Sequence, residues 1–408
     1  MVFDAAAKYR GTSLNDNLVQ GPDLVNSLVG VLVRFRQEPV ALVGDIEAMF
    51  HQVKVSNPDR DALRFLWWKH GNLDGPVEVY RMNSHVFGAK SSPSCAAYAL
   101  KKTATDQQGN YGPDVIKAVN RNFYVDDLLT STATATKAIN LVTGLKSLLH
   151  TGGFKLTKWA SNSRDVVAAV PEAERAPALI SLDLDDDLPN DRALGVYWDI
   201  EEDCFTFKTK EDDKQLTRRG ILSMVASLFD PLGLVAPTVL DAKRLLQKLC
   251  RDNYGWDDPI TPLDVASWIQ WRKEYMYLAE IKIPRCFKPQ ECKVKDVELH
   301  VFSDASSYGY GCCAYVRIRS SDDSVHTALV MGKSRLAPIK AITIPRLELT
   351  AAVAACRLME TTCSSTSLTL HSCGLKQRGI FSSARYMYSL RHCIHEATSN
   401  GVIGSSQP

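Results

Sequence analysis

The stretch Phe123-Tyr124-Val125-Asp126-Asp127-Leu128-Leu129 constrains this chain more than any other. Apolar and aromatic residues flank an Asp-Asp pair, a pattern that reads as a β-hairpin with both carboxylates at its tip. Adjacent like charges repel and seldom help a fold. They make chemical sense around a divalent cation, because hard cations take carboxylate oxygens. Upstream, Val40-Ala41-Leu42-Val43-Gly44-Asp45 reads as a buried strand ending in an acid, and residues 46–52 as one or two helical turns. An acid closing one strand and a pair on a hairpin together suit two metal ions used in phosphoryl transfer. Taken singly, each piece has a structural explanation: Asp-Asp is a common turn pair, and an acid after a strand is often a helix cap.

At 408 residues, with 45% apolar and 23% charged residues, the chain is long enough for two or three domains with real cores. A net charge of +2 means that any basic channel must be local. The eleven cysteines show no Cys-x-x-Cys spacing. Cys312-Cys313, Cys286 with Cys292, and His392-Cys393-x-His395 are weak metal hints, and buried free thiols in a reducing compartment are the simpler reading. Residues 1–10 carry no long apolar core, and no apolar run reaches about 18 residues, so neither a secretion signal nor a membrane span is expected. An intracellular location follows.

Periodicity lays out the rest. Residues 24–36 have helical spacing, 63–68 and 77–82 read as a hairpin, and Ser92-Pro93 reads as the N-cap and first residue of a helix reaching Thr103. Another helix covers 115–119. Residues 136–150 carry an amphipathic stripe closed by Gly152-Gly153, and 154–159 form the next strand. Helices on one side of a small antiparallel sheet make an α+β unit. Asp183, Asp185, Asp186 and Asp187 beside Pro189 read as a solvated loop at a domain boundary. Strands at 194–198 and 204–208 follow, then a helix over 217–229. A second helix, 240–250, bears Lys243, Arg244, Lys248 and Arg251. That basic face suits a nucleic-acid backbone or is simply a solvated helix face. Residues 298–304 form a strand ending in an acid, 311–317 a return strand, and 344–358 a helix.

Several of these residues carry a family resemblance. Tyr124-Val125-Asp126-Asp127 in an apolar hairpin, with Asp45 closing a strand and Phe50 five residues later, resembles the palm of a reverse transcriptase. Val86-Phe87-Gly88-Ala89-Lys90-Ser91-Ser92-Pro93 is similar to the loop that such enzymes set against template and incoming nucleotide. Further segments narrow the match: Ser13-Leu14-Asn15-Asp16 with Gln20-Gly21-Pro22-Asp23-Leu24, Lys158-Trp159-Ala160-Ser161-Asn162, Ser227-Leu228-Phe229-Asp230-Pro231-Leu232-Gly233 and Ile344-Pro345-Arg346-Leu347-Glu348-Leu349. Together they resemble the polyprotein of a Bel/Pao-type LTR retrotransposon, over about residues 2–358.

The resemblance implies an α+β reverse-transcriptase palm with truncated fingers over 1–182. It implies a helical thumb and connection region over 183–294, and a truncated ribonuclease H-like α/β domain over 295–360. Residues 361–408 are expected to be an irregular tail. The implied activity is RNA-directed DNA polymerisation on an RNA or DNA template, with two Mg²⁺ ions, or Mn²⁺ in their place. Asp45 and Asp126 would bridge the ions, Asp127 would support them, and the main-chain carbonyl of Ile46 would add a ligand. Phe50 would be the aromatic gate under the sugar that selects deoxynucleotides, although on its own residues it reads as a core phenylalanine. Phe87 and Gly88 would approach nucleotide and template, and Tyr124 the primer terminus. The implied partners are an RNA/DNA template-primer hybrid and deoxynucleoside triphosphates, with no membrane, in the cytoplasm or in retroelement particles.

Two departures qualify that picture. Asp304 and Glu348 match the first two carboxylates of a ribonuclease H site. After Glu360, however, Glu396 is the only acid; ten serines fill the last stretch, as a shifted reading frame would give. Ribonuclease H activity is expected to be lost. Only a short segment precedes Asp45, where the family's basic fingers would lie. The competing expectation is therefore an inert relic that retains nucleic-acid binding.

Overall fold

In the computed structural model, residues 2–177, 190–193, 195–209, 215–289, 292–366 and 372–377 are described. They fall into two units, Met1–Val31 with Val40–Asp186, and Leu32–Pro39 with Asp187–Pro408.

The first unit opens with one helical turn, α1 (Leu14–Asn17), capped reciprocally by Ser13 and Asp16. Helix α2 (Leu28–Phe35) starts four residues later than its periodicity predicts. The preceding chain is tied down elsewhere: Lys101 Nζ donates to the Leu24 carbonyl at 2.8 Å, and Asn26 Nδ2 to that of Phe123 at 2.8 Å. After β1 (Val40–Ile46) comes a single turn, α3 (Met49–Gln52). A two-stranded ribbon, β2 (Arg64–Trp68) with β3 (Val77–Arg81), is the expected hairpin. Helices α4 (Ser92–Asp106) and α5 (Pro113–Arg121) lead to β4 (Phe123–Tyr124) and β5 (Asp127–Thr132). Ser91, not Ser92, precedes α4; the Ser92 hydroxyl is buried and donates to the Val86 carbonyl at 2.8 Å. Helix α6 (Ala135–Thr151) is capped by Thr134, and β6 (Leu156–Ala160) and α7 (Arg164–Ala169) follow.

The sheet runs β4-β5-β1-β6, with antiparallel neighbours. Its inner face supplies Leu42, Ile46 and Leu128 to the core. Helix α6 adds Leu141, Leu145 and Leu148, one turn apart on a single stripe. Burying that stripe drives the helix onto the sheet.

The second unit has two sheets. In the smaller, the order is β10-β9-β8-β7, where β7 is Asn190–Ala193, β8 Val196–Asp199, β9 Cys204–Thr206 and β10 Ile283–Pro284. Phe35 packs edge-on against Trp198 with centroids 5.2 Å apart. Three helices intervene in sequence: α8 (Arg218–Ser227), α9 (Ala236–Arg251) and α10 (Pro262–Met276). The larger sheet holds β11 (Val294–Ala305), β12 (Gly309–Ser320) and β13 (Val325–Leu336), each twelve residues, as an antiparallel meander. The 22-residue α11 (Ile344–Ser365) then crosses over to β14 (Ser372–Gln377), which pairs parallel with β11. A parallel neighbour needs such a crossover. Ala351 and Ala355, both fully buried, give α11 its close seat.

Four expectations need correction. Only Val125 and Asp126 form the hairpin turn; Asp127 is the first residue of β5, paired with Tyr124, because a two-residue loop closes the ladder. Strand β9 stops at Thr206, short of Lys208, and helix α8 stops at Ser227, short of Phe229. Regular structure also enters the stretch read as an irregular tail: α11 runs to Ser365, and β14 lies beyond it. Strand β14 completes a sheet edge, a long-range demand that local composition does not carry. The cluster Asp183, Asp185, Asp186 and Asp187 lies outside the described residues, as do Leu194 and His392 to His395.

Nine cysteines, from Cys95 to Cys363, are free thiols; Cys312 and Cys313 are buried as expected, whereas Cys250 is exposed and the other six are partly buried. Among the described residues, no helix is long and apolar enough to cross a membrane.

Candidate functional site

Asp45, the next-to-last residue of β1, is the cross-strand partner of Asp127 in β5. Asp126, in the turn just before, has its carbonyl held by the Ile46 amide at 3.0 Å. Three acids separated by up to 82 positions in the chain therefore meet at one end of one sheet. The turn is strained: Val125 has φ +57°, a conformation that a β-branched residue rarely takes.

The electrostatics report the crowding. Burial, and then the Asp45 charge, raise the Asp126 carboxyl above the ordinary carboxylate range, opposed by its own main-chain hydrogen bond and by Lys158. Lys158 is the counter-charge. Its Nζ lies 3.1 Å from Asp45 Oδ2, and the hydrogen bond to Asp45 raises its pKa against the opposing cost of burial, with the weaker fields of Asp45, Asp126 and Asp127 adding to the rise. Sequence reasoning quoted Lys158 only as part of a motif and gave it no role.

The pairing of β1 with β6 explains how Lys158 gets there. Val43 pairs with Ala160 and Asp45 with Thr157. One residue, Gly44, separates the first pair on β1, and two, Lys158 and Trp159, separate it on β6. The extra residue is a β-bulge, and Lys158 sits in it at φ +52°. A Cβ on Gly44 would lie 3.4 Å from the Trp159 ring, in ordinary van der Waals contact, so the bulge residue Trp159 packs over β1 at Gly44. The rest of that motif pins the other end of β1. Ser161 Oγ donates to the Ala41 carbonyl at 2.7 Å, and the Ala41 amide donates to Asn162 Oδ1 at 2.8 Å.

The loop 86–93 is held by the N-terminal motif. Asn15 Nδ2 donates to the Gly88 carbonyl at 3.0 Å, and the Lys90 amide donates to Asn15 Oδ1 at 2.8 Å. Phe3 N donates to the Phe87 carbonyl at 2.9 Å. Gly88 has φ +99°, and a Cβ there would fall 1.8 Å from the Phe3 carbonyl oxygen. The close backbone approach that Gly88 permits is thus to Phe3 of the same unit. Phe50 packs against the core beneath the sheet, and its ring lies 4.8 Å from that of Phe87, which is itself exposed. Tyr124 is half-buried beside the turn.

These acids suit a hard divalent cation in donor chemistry, since carboxylate oxygens are what Mg²⁺ and Mn²⁺ prefer. Among the described residues, however, no three His, Cys, Asp or Glu side chains gather closely enough to hold one together. The positive charge at these carboxylates is the Lys158 ammonium.

The other candidates lie in the second unit. Asp304 lies near the end of β11 and lines a cavity of about 270 Å³ together with Pro237, Leu240 and Asp241 of α9. Glu348 is half-buried on α11, and β14 carries no carboxylate. Part of the basic face of α9 is occupied internally. Lys248 Nζ contacts both oxygens of Asp264 at 2.7 and 2.9 Å, and Arg244 lies over the Tyr308 ring at 4.1 Å. The motif around Asp230 is a structural latch. Its carboxylate accepts from the Leu234 and Val235 amides at 2.8 Å each, and the Gly332 amide donates to the Leu232 carbonyl at 2.8 Å.

Sequence reading also missed a buried cation pair. Arg36, fully buried, donates to the carbonyls of Arg285, Val330 and Pro284. Burial and the Arg285 charge pull its pKa down to about 9, so it stays cationic at neutral pH. Arg285 is buried with it and grips both oxygens of Asp203 at 2.6 and 2.8 Å. Two arginines separated by hundreds of positions leave no local signal.

Residues 217–376 match the family described as Pao retrotransposon-like RNaseH-like domain. That match begins at α8, well before the boundary expected at 295. No curated protein matches the chain. Among solved structures, the chain is similar to the foamy viral protease-reverse transcriptase dRH in complex with ds DNA, at 13% identity and a TM-score of 0.55. It is also matched to the foamy viral protease-reverse transcriptase in complex with RNA/DNA hybrid, at 11% identity and a TM-score of 0.49. The first match covers 100% of this chain and 63% of the foamy viral one, so this chain spans less than two thirds of that relative; the second covers 90% and 44%. At such identities the likeness is one of fold: mixed α and β with antiparallel sheets, similar to a retroviral reverse transcriptase.

Proposed function

We propose that this chain is the RNA-directed DNA polymerase segment of a retrotransposon polyprotein. The observation that supports the reading most directly is the cross-strand pairing of Asp45 with Asp127 beside Asp126. The reaction is an in-line attack of a primer 3′-hydroxyl on the α-phosphate of a deoxynucleoside triphosphate. Asp45 and Asp126 would hold the divalent cations, with Asp127 and the Ile46 carbonyl in support. Such ions, when bound, neutralise the triphosphate and stabilise the attacking and leaving oxygens. Phe50 would lie under the sugar, where its ring excludes a 2′-hydroxyl. Phe87 and Gly88 would border nucleotide and template, and Tyr124 the primer end. A template-primer hybrid would be held by phosphate contacts and shape rather than by base edges. The setting would be intracellular, in cytoplasm or retroelement particles. No cleavage by Asp304 and Glu348 is proposed.

The second reading is a catalytically inert relic that binds nucleic acid without turnover. It is favoured by the absence, among the described residues, of a closed cluster of three metal-holding side chains. Primer extension on poly(rA)·oligo(dT) with Mg²⁺ or Mn²⁺ separates the two. Incorporation that disappears in Asp126→Asn supports the polymerase. Incorporation that survives the substitution rejects these residues as its site. Hybrid binding without incorporation favours the relic.

A further inference from the structure

The second unit keeps a void open between α9 and the larger sheet. Helix α9 is pinned along β13 by three hydrogen bonds. The Gly332 amide donates to the Leu232 carbonyl at 2.8 Å just before the helix, Ser334 Oγ to the Ala236 carbonyl at 3.0 Å at its start, and Gln247 Nε2 to the Ala337 carbonyl at 2.8 Å near its end. The approach at the first point is close: a Cβ on Gly233 would fall 2.0 Å from the Gly332 carbonyl oxygen. Beneath the pinned helix, β12 presents Gly309 and Gly311, which have no side chain to fill the gap. A Cβ on Gly309 would lie 3.5 Å from Leu240 Cδ2 of α9. Interiors rarely hold voids larger than a water molecule, yet here the hydrogen bonds fix how far the helix can settle. The result is the cavity of about 270 Å³ that Asp304 lines. An apolar cavity of roughly 150 Å³ already admits benzene.

Its chemistry has two parts. Pro237, Leu240 and Phe302 give apolar wall, while Asp241 and Asp304 bring two carboxylates against one ammonium, that of Lys333. Asp241 is only loosely matched from outside: Arg244 lies 3.8 Å from its Oδ1, with the guanidinium drawn over the Tyr308 ring at 4.1 Å. The Asp241 side chain is 55% exposed and so stands at the mouth, whereas Asp304 is half-buried. Glu348 is not on the wall. We infer that this cavity binds a small organic cation with an apolar body, an arylalkylamine in size and charge. The ring lies against Leu240, Pro237 and Phe302, where burial of apolar surface favours it. The ammonium donates to Asp304 and Asp241, which supply the excess of negative charge. The site uses none of Asp45, Asp126 and Asp127, and it stands apart from the polymerase reading.

Phenethylamine and its neutral isostere phenethyl alcohol, each titrated calorimetrically into the full chain, test the site. The amine should bind about 10-fold or more tightly than the alcohol, the worth of a charge-assisted hydrogen bond. Asp304→Asn keeps the shape and removes the charge. It should bring the amine down toward the affinity of the alcohol and leave the alcohol unchanged. Leu240→Trp fills the void and should weaken both, with the melting curve of the ligand-free variant reporting that it folds. If it does not fold, Asp304→Asn decides alone. Equal affinity for amine and alcohol, or amine binding that Asp304→Asn does not move, would overturn the cation site. So would the absence of binding by either compound to the parent.

Discussion

Asp45 of β1 and Asp127 of β5 stand directly opposite each other across an antiparallel ladder. Like charges in that relation weaken a sheet, so a fold that keeps them has another use for them. Asp45→Asn and Asp127→Asn should each lower primer extension by about 10²-fold or more, the cost of losing one preorganised charged group at a reacting centre. Gel-shift affinity for the hybrid should change little. A parallel loss of binding would show that the acids act on the fold and not on the chemistry.

The Asp126 carboxyl gives a pH signature. Burial first, and the Asp45 charge after it, raise its folded pKa above the ordinary value of 3.8. The unfolded chain then holds fewer protons across that window, so stability falls as pH rises through it, and the cost persists above it. Asp126→Asn removes the cost. In chelator, its melting point should exceed that of the parent at neutral pH, and the advantage should shrink as pH falls toward 3.8. An advantage independent of pH would assign the effect to something other than this carboxyl.

Arg285 should be the most costly single truncation in the second unit. It is fully buried, holds Asp203 with two hydrogen bonds, and donates to the carbonyls of Phe35, Glu38 and Pro39. Arg285→Met leaves Asp203 without its cation, with the Trp198 indole N–H still donating to Oδ1, and takes the donor from those carbonyls, at about 3–5 kcal/mol. The urea midpoint of that unit's transition should fall with an unchanged slope.

Gly88→Ala tests the packing of the N-terminal segment. The added methyl would fall on the Phe3 carbonyl oxygen at a positive φ, at about 1–3 kcal/mol of local strain. Amide exchange at Phe3, protected by the Phe87 carbonyl, should speed up while the β1 amides keep their protection.

Phe50→Ala addresses substrate choice. Ribonucleotide incorporation relative to deoxynucleotide should rise by about 10-fold or more if the ring excludes the 2′-hydroxyl. Loss of both together, with a lowered melting point, would make Phe50 a core residue only.

Much of the site was legible in the chain. The run Val40-Ala41-Leu42-Val43-Gly44-Asp45 reads as a strand ending in an acid and folds as one, and the stripe along α6 lies within one residue of its expected bounds. What misled was local. Residues 24–27 have helical spacing but are tied to Lys101 and Phe123. Asp127 looks like a turn residue but opens β5. Strand β14 exists because β11 offers it an edge, and the serine-rich sequence around it carries no period.

The sequence by itself determined most element types, the helix stripes that build the first core, and the presence of one acid near a strand end and an acidic pair at a hairpin. Only the tertiary structure decided that Asp45 faces Asp127, that Lys158 of β6 lies 3.1 Å from Asp45, and that Arg36 and Arg285 share one buried site. The physical reason is range. Residue periodicity encodes which face of a helix or strand is apolar, a property of a few neighbouring residues. Register, bulges and buried ion pairs depend on the packing of segments far apart in the chain, where a shift of one residue would send every side chain to the opposite face.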